Sequence, residues 1–290
     1  MTSKEMLLCR EIQSGKRVVM HWLMALLLCS VAWAATAQAA QATDADWWSA
    51  IRRDDVSEVQ TKLLRGVDVN AFNALGNPAL TQAAREQSWK VFDLLKSAPG
   101  VQVDLANAHN ETALMYLCIL GKTQRALALI QAGAQVNRLG WTPLHYAASK
   151  GQVETAEMLI QRGAIVNAPG PDGTTPLMMA ALSGKVDMAR LLLSHGADPT
   201  MFNSARETAV DWALKRNNTA LAESLKKAAH RVQQARARQG QGAGTNSDTM
   251  APKTASGQGQ MQAPDTSSDD ANSFSRYFDL GRFEDSNTAR

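Results

Sequence analysis

Five short segments of similar sequence recur at nearly constant spacing along this chain of 290 residues. They are Pro78-Ala79-Leu80, Thr112-Ala113-Leu114, Thr142-Pro143-Leu144, Thr175-Pro176-Leu177 and Thr208-Ala209-Val210. Their first residues are 34, 30, 33 and 33 positions apart. A repeat of about 20 to 50 residues is typical of arrays in which each unit buries its apolar face only against its neighbours. The spacing therefore predicts a stack of similar units rather than one globular core.

Two of these units match a known consensus in detail. One reads Gly140-Trp-Thr-Pro-Leu-His-Tyr-Ala-Ala148 and continues with Met158-Leu-Ile-Gln-Arg-Gly-Ala164. The other contains Asp172-Gly-Thr-Thr-Pro-Leu-Met-Met-Ala-Ala181 and Leu191-Leu-Leu-Ser-His-Gly-Ala-Asp198. Both resemble ankyrin repeats nearly position by position, and weaker copies begin near Asp44, Asn73, Asn107 and Asn203. The resemblance covers residues 44–228 in about six units, and it implies an all-α solenoid of stacked helix-turn-helix units joined by short hairpin loops.

The residue types within a unit have local physical tasks. Thr142 and Thr175 are expected to cap the first helix, with Pro143 and Pro176 in its first turn, where no amide hydrogen bond is lost. Glycines follow each second helix, where a left-handed residue ends it, at Gly66, Gly133, Gly163 and Gly196. The resemblance implies that His145 hydrogen-bonds to backbone within the turn. No metal site is expected, because His109, His195 and His230 occupy different positions in different units.

The start of the chain indicates export. A basic stretch ending in Lys16-Arg17 precedes the apolar run Val18 to Ala35, and Ala37-Gln38-Ala39 follows. This order resembles a general secretory signal of a Gram-negative bacterium, so residues 1–39 are predicted to be a cleaved signal peptide and the mature protein to be periplasmic. The alternatives are a secreted protein, or an uncleaved anchor in the inner membrane with the rest of the chain facing outward.

Charge and composition limit what the remaining chain binds. Residues 40–290 carry 26 basic and 25 acidic side chains, a net charge of +1, which argues against a binder of polyanions along its whole length. From Gln239 to the end, Gly, Gln, Ser, Thr and Asp dominate, so residues 239–290 are predicted to be a disordered tail. Within it, the aromatic segment Phe274 to Phe283 resembles a short docking motif.

The functional prediction is a protein-binding module that is not an enzyme. The sequence lacks G-x-S-x-G, H-E-x-x-H and a phosphate-binding loop, and no catalytic residue, cofactor or small-molecule substrate is expected. The resemblance implies that another protein binds in the concave groove. Alternatives are a secreted effector that acts on a host protein, or binding of an anionic surface or nucleic acid by the basic run over 226–238. The Phe274 to Phe283 segment is a further possible occupant of the groove.

The predicted binding residues lie at the exposed first-helix and hairpin positions of the family. They are Trp141, Leu120, Ile119, Leu182, Lys150, Arg85 and Arg53. The hairpin before Thr142 is three residues shorter than the one before Thr175, measured from Asn137 and Asn167. Trp141 is therefore either an aromatic anchor for the partner, with aliphatic neighbours, or a side chain that seals the gap together with Leu120.

Overall fold

The computed structural model describes residues 45–242, and every regular element of this part of the chain is a helix. Two isolated backbone bridges, Phe72 to Pro78 and Ala106 to Thr112, are the only strand-like pairings among these residues. The predicted all-α repeat architecture is confirmed. The chain divides into two compact units at residue 67, and the units are described separately. The predicted signal peptide over 1–39 and the segment Phe274 to Phe283 lie outside the described residues.

The first unit contributes one helix pair. Helix α1 covers residues 45–52, and α2 covers Val56–Leu64. Asp55 caps α2, because its Oδ1 accepts a hydrogen bond of 3.0 Å from the Glu58 amide. Trp47 and Trp48 are buried, with their rings edge to face and the centroids 6.3 Å apart. Two large aromatic side chains thus form most of the core of this small unit.

The described part of the second unit, up to residue 242, contains five helix pairs. In chain order, the pairs are α3 (Ala79–Arg85) with α4 (Trp89–Lys96), α5 (Ala113–Ile119) with α6 (Thr123–Gln131), α7 (Pro143–Lys150) with α8 (Val153–Gln161), α9 (Pro176–Leu182) with α10 (Val186–Ser194), and α11 (Ala209–Lys215) with α12 (Thr219–Gly242). The last helix continues past residue 228, where the repeats are predicted to end. Domain boundaries at 44, 228 and 239 remain predictions.

The helix ends follow the local residue types. Thr142 and Thr175 occupy the N-cap positions of α7 and α9, and Pro143 and Pro176 are the first residues of these helices. The Met178 amide donates to Thr175 Oγ1 at 3.3 Å. After the second helices, the chain turns through left-handed glycines, with φ of 104° at Gly133, 86° at Gly163 and 84° at Gly196. These predicted start and stop signals are confirmed.

The first helices form the buried centre of the second unit. Each packs against the first helix of the next pair, in the order α3, α5, α7, α9 and α11. All seven residues of α5 are buried, and in α7 only Lys150 is not. Alanine pairs, such as Ala147 with Ala148 and Ala180 with Ala181, keep these helices slim and allow close approach. The second helices bury one side only, as their alternating exposure shows.

Asparagine side chains join one repeat to the next along the loops that follow the second helices. Asn137 Nδ2 donates to the Gly163 carbonyl at 2.8 Å, and its Oδ1 accepts from the Ile165 amide at 2.9 Å. Asn167 makes the same two bonds to Gly196 and Asp198. Asn70 bonds Gly100 and Gln102 in the same way. Each asparagine therefore satisfies backbone groups that the turn at the end of the next helix leaves open.

His145 is a second link between repeats. It is fully buried, its Nδ1 accepts from the Thr142 amide at 3.2 Å, and its Nε2 lies 2.9 Å from the Thr174 carbonyl in the next loop. Since a carbonyl only accepts, the proton of the neutral ring is on Nε2. Burial lowers the pKa of His145 to about 4. The predicted bonding of His145 to backbone is confirmed.

Acidification should destabilise the fold through His145. A histidine whose pKa is lower in the folded state takes up its proton first in the unfolded chain, so stability is full above about pH 6.5 and declines toward pH 4. The loss from this one group should approach about 1.4 kcal/mol per pH unit. Urea unfolding between pH 7.5 and 5 should show this slope in the wild type and a flatter one in His145→Gln.

The control is His195→Gln, because His195 is exposed. That variant should keep the wild-type dependence on pH. Equal slopes in wild type and His145→Gln would show that other groups cause the acid sensitivity.

Candidate protein-binding surface

Four of the loops between repeats share one hydrogen-bonded turn. In four loops a backbone amide donates to the carbonyl four residues later, from Asn73 to Asn77, Asn107 to Glu111, Gly170 to Thr174 and Asn203 to Glu207. The fourth residue of each turn has a positive φ, at Gly76, Asn110, Gly173 and Arg206. Asn73 and Asn107 add side-chain oxygens that accept from the turn amides. These four loops are thus fixed by local bonds.

The tips of consecutive loops contact one another. A Cβ added to Gly76 would lie 3.3 Å from Cβ of Ala108. Farther along, Arg138 Nη2 donates to Asn110 Oδ1 at 3.0 Å, and the Ser204 amide donates to the Asp172 carbonyl at 2.8 Å. We call this continuous series of turns, over residues 73–77, 107–111, 138–141, 170–174 and 203–207, the tip row.

Two leucines project from the tip row into solvent. Leu75 is 70% exposed and Leu139 is 94% exposed, and each directly precedes a turn glycine. We call them the tip leucines. Neither leucine is among the binding residues predicted from the sequence. The signal that identifies them is an aliphatic residue immediately before the turn glycine, at a loop position where polar residues are the norm.

Most of the predicted first-helix residues lie at the ends of consecutive helices. Arg85, Leu120, Lys150 and Leu182 are each partly exposed there. Hydrogen bonds from side chains to backbone carbonyls connect these helix ends. Gln152 Nε2 donates to the carbonyl of Ile119 at 3.1 Å, and Arg216 Nε donates to the carbonyl of Leu182 at 3.0 Å. This set lies near the tip row because every repeat places the end of its first helix and its loop in the same relative position.

One of the predicted binding residues is placed differently from the expectation, and another lies in the first unit. The prediction that Ile119 faces the groove is wrong, because this side chain is 3% exposed in a helix whose residues are all buried. Arg53 belongs to the first unit, where it pairs with Glu58 at 2.5 Å and donates to Ser49.

Trp141 packs between two loops. Its ring lies edge to face on His145, with the centroids 5.2 Å apart. On the other side, a Cβ added to Gly170 would lie 2.9 Å from Trp141 Cζ3. These contacts fit the alternative in which Trp141 fills the gap left by the short loop, and direct contact of Trp141 with a partner remains a prediction.

A buried carboxylate organises the loops at α5 and α7. Glu111 accepts hydrogen bonds from Asn107 Nδ2 at 2.8 Å, Tyr116 hydroxyl at 2.8 Å and Tyr146 hydroxyl at 3.0 Å. Next to it is a pocket of about 230 Å³. The residues around this pocket are Leu75, Asn77, Arg85, Asn107, His109, Glu111 and Tyr116.

The predicted basic stretch continues α12. Lys226, Lys227 and Arg231 are exposed, but Arg236 is engaged with Asp198 at 2.5 Å and with Thr200 at 2.9 Å. This arginine therefore stabilises the loop at Asp198. Burial acts to raise the pKa of the Asp198 carboxyl, but hydrogen bonds from Thr200, and then the hydrogen bond and charge of Arg236, hold this pKa below its ordinary value. The remaining basic side chains are an exposed helix face without a shaped site.

The described residues offer little for catalysis. Cys118 is buried, and burial raises the pKa of its thiol. Over residues 45–242, no three His, Cys, Asp or Glu side chains are grouped as metal ligands would be. None of the helices in this range is both long and apolar enough to cross a membrane.

Comparison with protein families decides the classification. A family model described as ankyrin repeats (3 copies) matches residues 80–170, and one described as ankyrin repeats (many copies) matches residues 159–213. The chain is an ankyrin-repeat protein. A search of curated proteins finds no match. Ankyrin repeats are protein-interaction modules and are typically not catalytic, in agreement with the function predicted for this chain.

The packing of Trp141 can be tested through Gly170. Gly170→Ala should destabilise the protein by about 1–3 kcal/mol, because the added methyl group overlaps the indole ring. In a Trp141→Ala background the same change should cost clearly less, giving a double-mutant coupling above about 0.5 kcal/mol in urea unfolding. Additive effects of the two substitutions would contradict the contact.

Proposed function

We propose that the second unit binds a partner protein through the tip row and the adjacent first-helix ends. The observation that supports this most directly is the exposure of both tip leucines, of which Leu75 lies on a turn held by internal hydrogen bonds and Leu139 on the loop that Arg138 joins to Asn110. Side chains on pre-organised loops lose little conformational entropy on binding. Exposed aliphatic groups beside polar ones are the arrangement found at the centres and rims of protein interfaces.

The surroundings of the tip leucines fit the rim of such an interface. Arg85 and Lys150 are partly exposed at helix ends, and His109 is exposed on the tip between Leu75 and Leu139. These side chains remain solvated when no partner is present and are able to form hydrogen bonds across a contact. The partner is therefore expected to offer apolar side chains to the tips and polar groups to the helix ends.

Replacing both tip leucines should reduce partner binding without unfolding the protein. In Leu75→Ser combined with Leu139→Ser, two exposed apolar contacts are lost, so affinity should fall by at least tenfold, or about 1.4 kcal/mol or more. Partner capture from envelope extracts with full-length protein, followed by titration of the recovered partner, measures the change.

The matched control is Ile165→Ser, since Ile165 is 56% exposed but lies in the loop after a second helix. This variant should bind as the wild type does. All variants should retain the wild-type circular dichroism spectrum and melting temperature. Unchanged capture by the double variant would place the binding surface elsewhere.

We also propose that this binding takes place in the periplasm. The support is the sequence of residues 1–39, with its basic start, apolar run and Ala37-Gln38-Ala39 ending. Osmotic-shock fractionation of a Gram-negative host should release the protein, and its N-terminus should begin near Ala40. Recovery from the cytosol with Met1 or Thr2 at the N-terminus contradicts export, and membrane retention with the first residues intact favours the anchored alternative.

A further inference from the structure

The pocket below Leu75 has an excess of hydrogen-bond donors. Glu111, its one carboxylate among the described residues, already accepts from Asn107, Tyr116 and Tyr146. These three neutral donors stabilise the Glu111 carboxylate by hydrogen bonding. Whether the pocket has a ligand of its own therefore depends on the other polar groups that line it.

The orientation of the Asn77 amide follows from its neighbour. Asn107 Oδ1 accepts from the backbone amides of His109 and Glu111, so its Nδ2 is the group that faces Asn77. That Nδ2 donates to Asn77 Oδ1 at 3.0 Å. Asn77 must then turn its own Nδ2 toward the pocket. The residue is 3% exposed, and no group within residues 45–242 accepts a hydrogen bond from this Nδ2.

Arg85 adds a positive charge at the same pocket. Its guanidinium has no ion pair or hydrogen-bond acceptor among the described side chains. The adjacent Glu86 does not supply one, because its carboxylate accepts from Gln82 Nε2 at 2.7 Å. An arginine and a buried amide donor that face the same cavity are suited to an anionic acceptor, and the planar guanidinium matches a carboxylate.

We propose that this pocket binds the carboxylate of an acidic side chain presented by the partner protein. Arg85 and Asn77 Nδ2 donate to the carboxylate, and Leu75 contacts the methylene groups of the same side chain. A pocket of about 230 Å³ suits one side chain rather than a whole small molecule. The inference rests on the proposed function and adds the chemistry of one partner residue.

Two soluble probes of equal shape test the site. The α-methylamides of N-acetyl-L-glutamate and N-acetyl-L-glutamine, whose blocked α-carboxyl groups leave the side-chain carboxylate as the only charge, are titrated into the ¹⁵N-labelled full chain, and the side-chain signals of Asn77 and Arg85 are followed by NMR. The glutamate probe should give saturable shifts, and the glutamine probe should bind about tenfold more weakly because it lacks the charge. Equal binding of the two probes would overturn the proposal.

Two variants remove the donors separately. Asn77→Asp keeps the oxygen that accepts from Asn107 but replaces the donating NH₂ by a negative oxygen, and Arg85→Gln removes the charge. Each should weaken the glutamate probe about tenfold. Arg162→Gln, at an exposed arginine after α8, is the control and should bind as the wild type does. Wild-type affinity in Arg85→Gln would refute the site even if Asn77→Asp fails to fold.

Two further experiments show whether the carboxylate comes from a partner or from the chain's own tail, and whether the pocket or the whole binding surface fails. Replacing the seven acidic side chains of residues 239–290 by their amides should leave probe affinity unchanged; they are Asp248, Asp265, Asp269, Asp270, Asp279, Glu284 and Asp285. A severalfold gain would mean that the chain's own tail competes for the pocket, and it would overturn the assignment to a separate partner. Partner capture that is lost in the tip-leucine variant but unchanged in Arg85→Gln overturns the pocket alone and leaves the proposed function standing.

Discussion

Packing between neighbouring first helices is the interaction on which the second unit depends. All seven residues of α5 are buried, so this helix exposes no face to solvent and is stable only between α3 and α7. The alanines of α7 and α9 set the close approach, and the glycines after the second helices return the chain to the same side for the next pair. The loops on which the proposed binding surface is built inherit their positions from this stacking.

Close stacking also determines where polar groups are allowed. Backbone groups that would be buried without partners in one repeat form hydrogen bonds with a side chain of the preceding repeat. Asn137 bonds the backbone of Gly163 and Ile165 in this way, and His145 bonds the carbonyl of Thr174. Glu111 is satisfied in a similar way by hydroxyl groups from two neighbouring first helices, Tyr116 of α5 and Tyr146 of α7. These bonds hold the loops in register with the helices, so the surface they form is ordered before any partner arrives.

Features fixed within a few residues were predictable from the sequence. The Thr-Pro helix starts, the left-handed glycines and the backbone bonds of His145 all follow from local motifs. Exposure was less predictable, because it depends on the neighbouring repeat. Ile119 occupies a position that is often solvent-facing but is covered here, whereas Leu139 is 94% exposed. The pocket at Asn77 depends on the amide orientation of Asn107, a residue 30 positions away, which no local pattern encodes.

The short loop before Thr142 breaks the translational symmetry of the array. In a regular solenoid, a ligand that fits one set of tips also fits the set one repeat along, and several binding registers compete. Here one interval between repeats is 30 residues and the next is 33, and the two leucines are separated by a histidine-bearing tip. A partner displaced by one repeat would set its apolar groups against His109 and Asp172. For the proposed partner, an irregular spacing in an otherwise periodic protein would thus favour a single alignment.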